Sequence, residues 1–129
     1  MSFQITALYA PLLIILVIVL STLVTIKRSQ TKIAIFDGGN LPLGLAMRRH
    51  GNLVETLPLA LILMALCEAR GLGPIWLHAM GVVLIAARLT HAIGLSATNV
   101  SSFGRIAGGL ATELAMAGAI LFLFWTQFA

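Results

Sequence analysis

Residues 48–58 read RRHGNLVETLP, and they run directly into an apolar segment that continues to Leu66. Arg48, Asn52 and Glu55 are spaced i, i+4 and i+7, which places their side chains on one stripe of an α-helix. An ionised side chain at the centre of a bilayer costs about 2.5–3.5 kcal/mol on insertion scales. The pattern therefore predicts a membrane-spanning helix whose polar stripe faces protein or a water-filled cavity rather than lipid.

The composition of the whole chain indicates a membrane protein. Of its 129 residues, 60% are hydrophobic and 9% are charged, and the mean hydropathy is +1.05. A soluble domain is nearer half apolar and a quarter charged. At about 20 residues per span, the length predicts an all-α, integral membrane four-helix bundle that forms a single transmembrane domain over residues 1–129. The expected helices are residues 5–28, 43–70, 75–95 and 105–128, all as approximate bounds.

Basic residues are distributed unevenly between the ends of these predicted helices. The segment before the first helix has no Lys or Arg, whereas Arg105 follows the third connection. The first connection is surrounded by Lys27, Arg28, Lys32, Arg48 and Arg49. Cytoplasmic loops carry the excess of Lys and Arg, so we expect both termini outside and the polar cluster toward the cytoplasm. Membrane topology thus accounts for the net charge of +4, and no nucleic-acid partner is expected.

Polar side chains on three predicted helices converge toward one membrane level. Arg88 and His91 are spaced i, i+3 near the end of the third helix, and Arg105 opens the fourth. Together with the arginines of the second helix they outnumber Glu55 and Glu113, so ion pairs cannot neutralise them all. Guanidinium groups without acidic partners suit an anionic ligand, especially one whose carboxylates accept paired hydrogen bonds.

Each of these residues also has a plain structural interpretation. Arg48 is typical of a side chain that extends to the membrane interface, Asn52 of a contact between helices, and Arg105 of a topology anchor. Glu55 and Arg88 also fit a structural ion pair. The His and acidic residues lack the spacing of metal ligands, so no metal site is expected.

The second-helix motif is similar to the signature of the MAPEG family, the membrane-associated proteins in eicosanoid and glutathione metabolism. The family pattern, Arg-x-x-x-Asn-x-x-Glu followed closely by Pro, is matched by Arg48, Asn52, Glu55 and Pro58. Residues 88–91, RLTH, resemble the third helix of the family. The resemblance covers essentially the whole chain. It implies a left-handed four-helix protomer, assembled as a homotrimer, from a bacterial inner membrane.

The resemblance also implies a ligand and an activity. Glutathione, as a cosubstrate, would bind between adjacent subunits near the cytoplasmic face. Its carboxylates, ammonium and peptide groups would be held by Arg28, Arg48, Asn52, Glu55, Arg88 and His91. Arg105 resembles the arginine that the family places at the thiol, where a guanidinium favours the nucleophilic thiolate. The implied activity is that of a glutathione transferase or peroxidase acting on lipophilic electrophiles that arrive from the bilayer.

Departures from the family pattern leave other functions open. Leu95 stands where several members carry a tyrosine one turn after the third-helix His, and the only tyrosine here is Tyr9, near the opposite face. The alternative is therefore a non-catalytic MAPEG-like protein that binds lipid or glutathione. Gly51 stands where prostaglandin-forming members carry an arginine, which argues against an eicosanoid synthase. A small multidrug transporter is disfavoured because the first predicted helix has no acidic residue.

Overall fold

The computed structural model describes residues 3–95 and 102–128, which form four α-helices and no strands. The helices are α1 (Gln4–Thr31), α2 (Leu41–Ala69), α3 (Pro74–Gly94) and α4 (Phe103–Phe128). All four are long and apolar enough to cross a membrane. The predicted all-α membrane bundle is therefore confirmed.

Capping contacts extend two of the helices beyond their predicted bounds. Asn40 Oδ1 accepts the backbone N–H of Leu43 at 3.0 Å, the N-cap contact that Asn favours. This contact lets α2 begin at Leu41 rather than at residue 43. At the end of α1 the helix continues to Thr31 and stops where Lys32 adopts left-handed backbone with φ 61°, a common way for a helix to end.

The start of α1 is capped by a side chain of α2. The backbone N–H groups of Ile5 and Thr6 donate to Glu68 Oε1 and Oε2, both at 2.8 Å. These donors have no partner inside the helix, and a carboxylate also interacts favourably with the positive end of the helix dipole. The contact fixes α1 against α2 at the end of the bundle far from the α1–α2 connection.

Helices α3 and α4 approach each other closely enough to bring their backbones into contact. A Cβ atom added to Gly108 would lie 2.4 Å from the carbonyl oxygen of Ala87 and 2.8 Å from the backbone nitrogen of His91. A Cβ atom added to Gly94 would lie 2.5 Å from the backbone nitrogen of Arg105. Small residues at helix contacts in membranes allow this approach. The glycines therefore set the positions of His91 and Arg105 relative to each other.

The remaining contacts place α2 and α3 at the centre of the bundle. Both α1 and α4 pack against this central pair. The fully buried apolar side chains include Leu13, Leu57, Met64, Leu77 and Leu84. Tyr9 packs its ring directly over Gly81, where an added Cβ would lie 2.4 Å from the ring. Many large apolar side chains face outward, which suits a surface in contact with lipid.

Candidate functional site

A cavity of about 380 Å³ opens at one end of the bundle, where α1 and α3 end and α2 and α4 begin. We call this the cavity end. The residues that line the cavity are Asp37, Leu41, Gly44, Leu45, Arg48, Asn52, His91, Leu95 and Arg105. Four of the predicted site residues, from three helices, therefore surround one space: Arg48, Asn52, His91 and Arg105.

Local helix geometry explains this convergence. Arg48 and Asn52 are one turn apart on α2, so both project to the same side. His91 is 8% exposed and lies against α4, where an added Cβ on Gly109 would lie 3.8 Å from its Cδ2 atom. The backbone contact between α3 and α4 fixes this arrangement. The cavity consequently combines guanidinium groups, an amide and an imidazole, which together can bind a ligand with carboxylate and peptide groups.

Arg88 is buried behind the cavity rather than on its wall. It is 3% exposed, and its Nη1 atom donates to Asn52 Oδ1 at 3.2 Å and to Thr56 Oγ1 at 2.9 Å. Its Nη2 atom donates to the carbonyl oxygen of Gly108 at 3.2 Å and to Thr112 Oγ1 at 2.6 Å. These four neutral acceptors belong to α2 and α4, so Arg88 joins three helices. It also fixes the amide of Asn52, leaving the amide N–H groups to donate elsewhere.

Glu55 forms its ion pair with Arg48 and not with Arg88. Glu55 Oε1 lies 3.4 Å from Arg48 Nη1, and the two side chains are 56% and 64% exposed. Glu55 is not among the residues that line the cavity. The Glu55–Arg88 pair considered from the sequence is thus replaced by an exposed pair along α2. Its contact with Glu55 restrains Arg48 at the edge of the cavity.

Arg28 organises the connection between α1 and α2. Its Nη1 atom donates to the carbonyl oxygens of Ile33 at 3.1 Å, Ala34 at 3.0 Å and Phe36 at 3.0 Å. Its Nη2 atom lies 3.4 Å from Met47 Sδ. Arg28 does not line the cavity. It instead shapes the segment that carries Asp37 into the cavity wall.

Comparison with known proteins identifies the family. A family model described as "MAPEG family" matches residues 6–125, nearly the whole chain. The chain belongs to the MAPEG family. It is 41% identical over 91 residues to the "Inner membrane protein YecN" of Escherichia coli strain K12, covering 70% of each chain. The protein of the same name from E. coli O6:H1 matches equally well.

These findings support a bacterial MAPEG member that is an integral inner membrane protein. No solved structure matches the chain. Among the residues described in this MAPEG protein, no group of three or more His, Cys, Asp or Glu side chains is placed to hold a metal ion.

Asp37 in the cavity wall of this MAPEG protein, and the contact that Arg49 makes beside the cavity, were not predicted from the sequence. Asp37 lies in the wall, and its Oδ1 atom accepts the backbone N–H of Gly39 at 3.0 Å. Arg49 Nη2 donates to the carbonyl oxygen of Leu95 at 2.8 Å and so caps the end of α3. The Gly, Asn and Pro residues beside Asp37 indicate a loop. They do not indicate the path of that loop, because the path depends on hydrogen bonds from Arg28. The sequence includes Arg49 in the excess of arginines but does not indicate its contact with Leu95.

Glu113 lies on an exposed face of α4 in this MAPEG protomer. It makes no hydrogen bond or ion pair with any residue in the described ranges, 3–95 and 102–128. It is one turn beyond Gly109 on a helix that is apolar enough to cross the membrane. Since a carboxylate in hydrocarbon is costly, this face of the protomer is poorly suited to lipid.

Proposed function

We propose that this MAPEG protein is a glutathione-dependent membrane enzyme, of the transferase or peroxidase type, that acts on lipophilic electrophiles. The observation that carries the proposal is the cavity lined by Arg48, Asn52, His91 and Arg105. Its volume of about 380 Å³ is in the range of sites for small ligands. The excess of cationic over acidic groups in its wall favours a ligand with carboxylates.

Four of the lining residues, Arg48, Asn52, His91 and Arg105, match groups of glutathione. Arg48 suits a carboxylate, and Asn52 and His91 suit peptide groups, because amide and imidazole can each donate or accept a hydrogen bond. Arg105 is assigned to the thiol. In this proposal Arg88 and Arg28 act indirectly, since their hydrogen bonds go to the protein: Arg88 orients Asn52, and Arg28 shapes the α1–α2 connection. Glu55 likewise acts through Arg48.

The proposed chemistry requires the thiolate of glutathione. A free thiol with a pKa near 8.5 is about 3% ionised at pH 7. A guanidinium group such as that of Arg105 favours the thiolate, which is the nucleophile that attacks an electrophile. A lipophilic electrophile would reach the sulfur from the bilayer, because the cavity is built between membrane-spanning helices.

One observation favours a second candidate function. Leu95 lines the cavity, and none of the described lining residues carries a hydroxyl group. A mechanism that needs a phenol or alcohol at the thiol has no donor in this wall. The second candidate is therefore a non-catalytic MAPEG protein that binds glutathione or lipid in the same cavity.

The thiolate signal separates these two functions. We expect ultraviolet difference absorbance of the purified protein with glutathione to show a thiolate band well above that of free glutathione. Arg105→Gln should keep glutathione binding but lose most of this band. The matched control is Arg70→Gln, because Arg70 is an exposed arginine at the opposite end of α2. Binding without a thiolate band in the wild-type protein would favour the non-catalytic candidate, and absence of binding would refute both glutathione functions.

We also propose that the protein assembles as a homotrimer. The exposed Glu113 supports this assembly, because a neighbouring copy would remove its carboxylate from lipid. Native mass spectrometry in mild detergent should show a trimer. Glu113→Gln should preserve folding but change trimer stability, whereas Gln127→Glu, near the end of α4, serves as a control for charge change. A wild-type protein that is only monomeric or dimeric would contradict the trimer.

The basic residues around the cavity end support a cytoplasmic site with both termini outside. Reporter fusions at the C-terminus test this orientation. A fused alkaline phosphatase should be active, since it folds only outside the cytoplasm, and the same reporter in the α1–α2 connection should be inactive.

A further inference from the structure

The α1–α2 connection, residues 32–40, presents two large apolar side chains on the outside of the bundle. Ile35 is 72% exposed and Phe36 is 77% exposed; we call these two side chains the apolar tip. The connection joins two helices that are long and apolar enough to span a membrane, so it lies at a membrane interface. Exposed apolar side chains in such a place mark a contact with protein or with lipid.

The hydrogen bonds of Arg28 prepare the backbone of this connection for contact with lipid. Its Nη1 atom donates to the carbonyl oxygens of Ile33, Ala34 and Phe36, all within 3.1 Å. Backbone carbonyl groups without partners are costly away from water, and here three of them turn inward to one guanidinium group. The apolar tip is left on the outer side of this turn.

The backbone at Phe36 directs the apolar tip outward. Phe36 adopts left-handed backbone with φ 53°, which is strained for a bulky residue and often marks a functional segment. Ile33 faces the other way, because a Cβ atom added to Gly38 would lie 3.1 Å from its Cδ1 atom. One apolar side chain therefore supports the connection from inside, and two project from it.

Both lysines of the chain, Lys27 and Lys32, lie at the end of α1 beside the apolar tip; we call them the lysine pair. Neither makes an ion pair or a side-chain hydrogen bond with any residue in the ranges 3–95 and 102–128. Lysine stems can cover apolar surface while the ammonium group reaches the lipid headgroups. Basic side chains at this level strengthen binding to anionic phospholipids, so the charge of this surface complements an anionic membrane.

A second copy of this chain matches the same surface less well than lipid does. The chain has four acidic residues. Glu55 and Glu113 lie well inside α2 and α4, and Glu68 caps α1 at the opposite end of the bundle. Asp37 alone among these four lies at the level of the connection, so a neighbouring copy can match one lysine but not both. A layer of anionic headgroups can match both.

We propose that the α1–α2 connection is a membrane anchor, in which the apolar tip inserts among the acyl chains of the adjacent leaflet and the lysine pair binds the phosphate groups of anionic phospholipids. The same connection carries Asp37 into the cavity wall. The lipid surface therefore holds one part of that wall in place. This role does not depend on the proposed glutathione function.

Fluorescence quenching by brominated lipids tests the anchor. Trp76 and Trp125, the tryptophans of the chain, are replaced with Phe, and Phe36→Trp provides the reporter. The protein is reconstituted in phosphatidylcholine vesicles with a minority of phosphatidylglycerol, and bromine is carried on the acyl chains of one lipid at a time. Both lipids should quench the reporter, and phosphatidylglycerol should be about fivefold more effective per molecule, the effect of one lysine near an anionic surface.

Two comparisons connect this preference to the lysine pair. Lys27→Gln combined with Lys32→Gln should keep the quenching but remove the preference for phosphatidylglycerol. The matched control keeps Trp125 as the reporter in a Trp76→Phe protein, because Trp125 lies near the far end of α4, away from both lysines. Both lipids should quench Trp125 equally per molecule.

A second reporter, Ile35→Trp, leaves Phe36 and its backbone conformation in place and should show the same quenching and preference. If neither reporter is quenched, the connection faces water or a neighbouring copy, and the anchor is overturned. Quenching without a preference for phosphatidylglycerol, or a preference that survives loss of both lysines, overturns the binding of anionic headgroups. Glutathione is absent from these measurements, so their outcome is separate from that of the proposed function.

Discussion

The two ends of the bundle use their polar side chains differently. At the end opposite the cavity, both carboxylate oxygens of Glu68 accept hydrogen bonds from the first turn of α1. The Tyr9 hydroxyl lies 3.1 Å from His78 Nδ1. At the cavity end, Asp37 makes no ion pair and the His91 ring makes no hydrogen bond within the described residues. Polar groups in a protein interior normally find partners. The cavity end therefore presents the polar groups that the proposed ligand would contact.

The helix packing differs between the ends as well. At the opposite end a tyrosine ring fills the space over Gly81, whereas at the cavity end Gly94 and Gly108 bring two backbones together. Backbone contact is rigid because no side chain can rotate to relieve it. The cavity end therefore combines rigid helices with the polar side chains of the cavity wall, which suits a preorganised binding site. Substitutions at the two ends should separate effects on stability from effects on binding.

The largest effect is expected from Gly108→Val. Its Cβ would lie 2.4 Å from the carbonyl oxygen of Ala87, so α3 and α4 must separate. Overpacking of this kind costs about 3 kcal/mol, and we expect a strong fall in thermal stability together with loss of ligand binding. Gly118→Val is the matched control, because an added Cβ there meets nothing within 4 Å. Thermal unfolding followed by tryptophan fluorescence measures both, and equal losses would show that the close approach is not required.

Arg88→Met should have a smaller effect on stability than Gly108→Val and should mainly reduce glutathione affinity. Thr56 and Thr112 keep their hydrogen bonds to the carbonyl oxygens one turn back, at 3.0 Å each. An apolar side chain often replaces a buried charge at little cost in stability, so the free energy of unfolding should change by about 1 kcal/mol or less.

Asn52 is the group that this substitution leaves without its donor. Its amide loses the fixed orientation given by Arg88, and glutathione affinity should fall about 10-fold. Thr56→Val, which leaves the Arg88–Asn52 contact in place, should bind normally. Calorimetry checks the affinities and thermal unfolding the stabilities. A large stability loss with unchanged affinity would mean that Arg88 has no part in the site.

The sequence predicts the fold well because membrane helices are set by local composition. The four spans and their order follow from runs of apolar residues and the turns between them. Capping contacts from other parts of the chain shift the bounds by a few residues, as Asn40 does for α2. These contacts depend on side-chain direction, which a hydropathy pattern does not contain.

The candidate site was predicted less completely than the fold, because side-chain directions decide which residues line the cavity. Spacing places Arg48 and Asn52 on one stripe, and both line the cavity. It does not reveal that Arg88 turns inward to neutral acceptors, since the sequence offered Glu55 as an equally good partner. Asp37 was missed because its position depends on a folded connection and not on helix periodicity. Charge alone identifies candidates, whereas tertiary contacts decide which of them a ligand can reach.

The smallest effect is expected from Glu68→Gln at the end opposite the cavity. The amide keeps one acceptor for the N–H groups of Ile5 and Thr6 but loses the charge that interacts with the helix dipole. Loss of such a cap costs about 1 kcal/mol, so thermal stability should fall slightly while glutathione affinity stays at the wild-type value. If Glu68→Gln weakens glutathione binding, the two ends are coupled through α1 and α2, and the ligand site cannot be treated as a property of the cavity end alone.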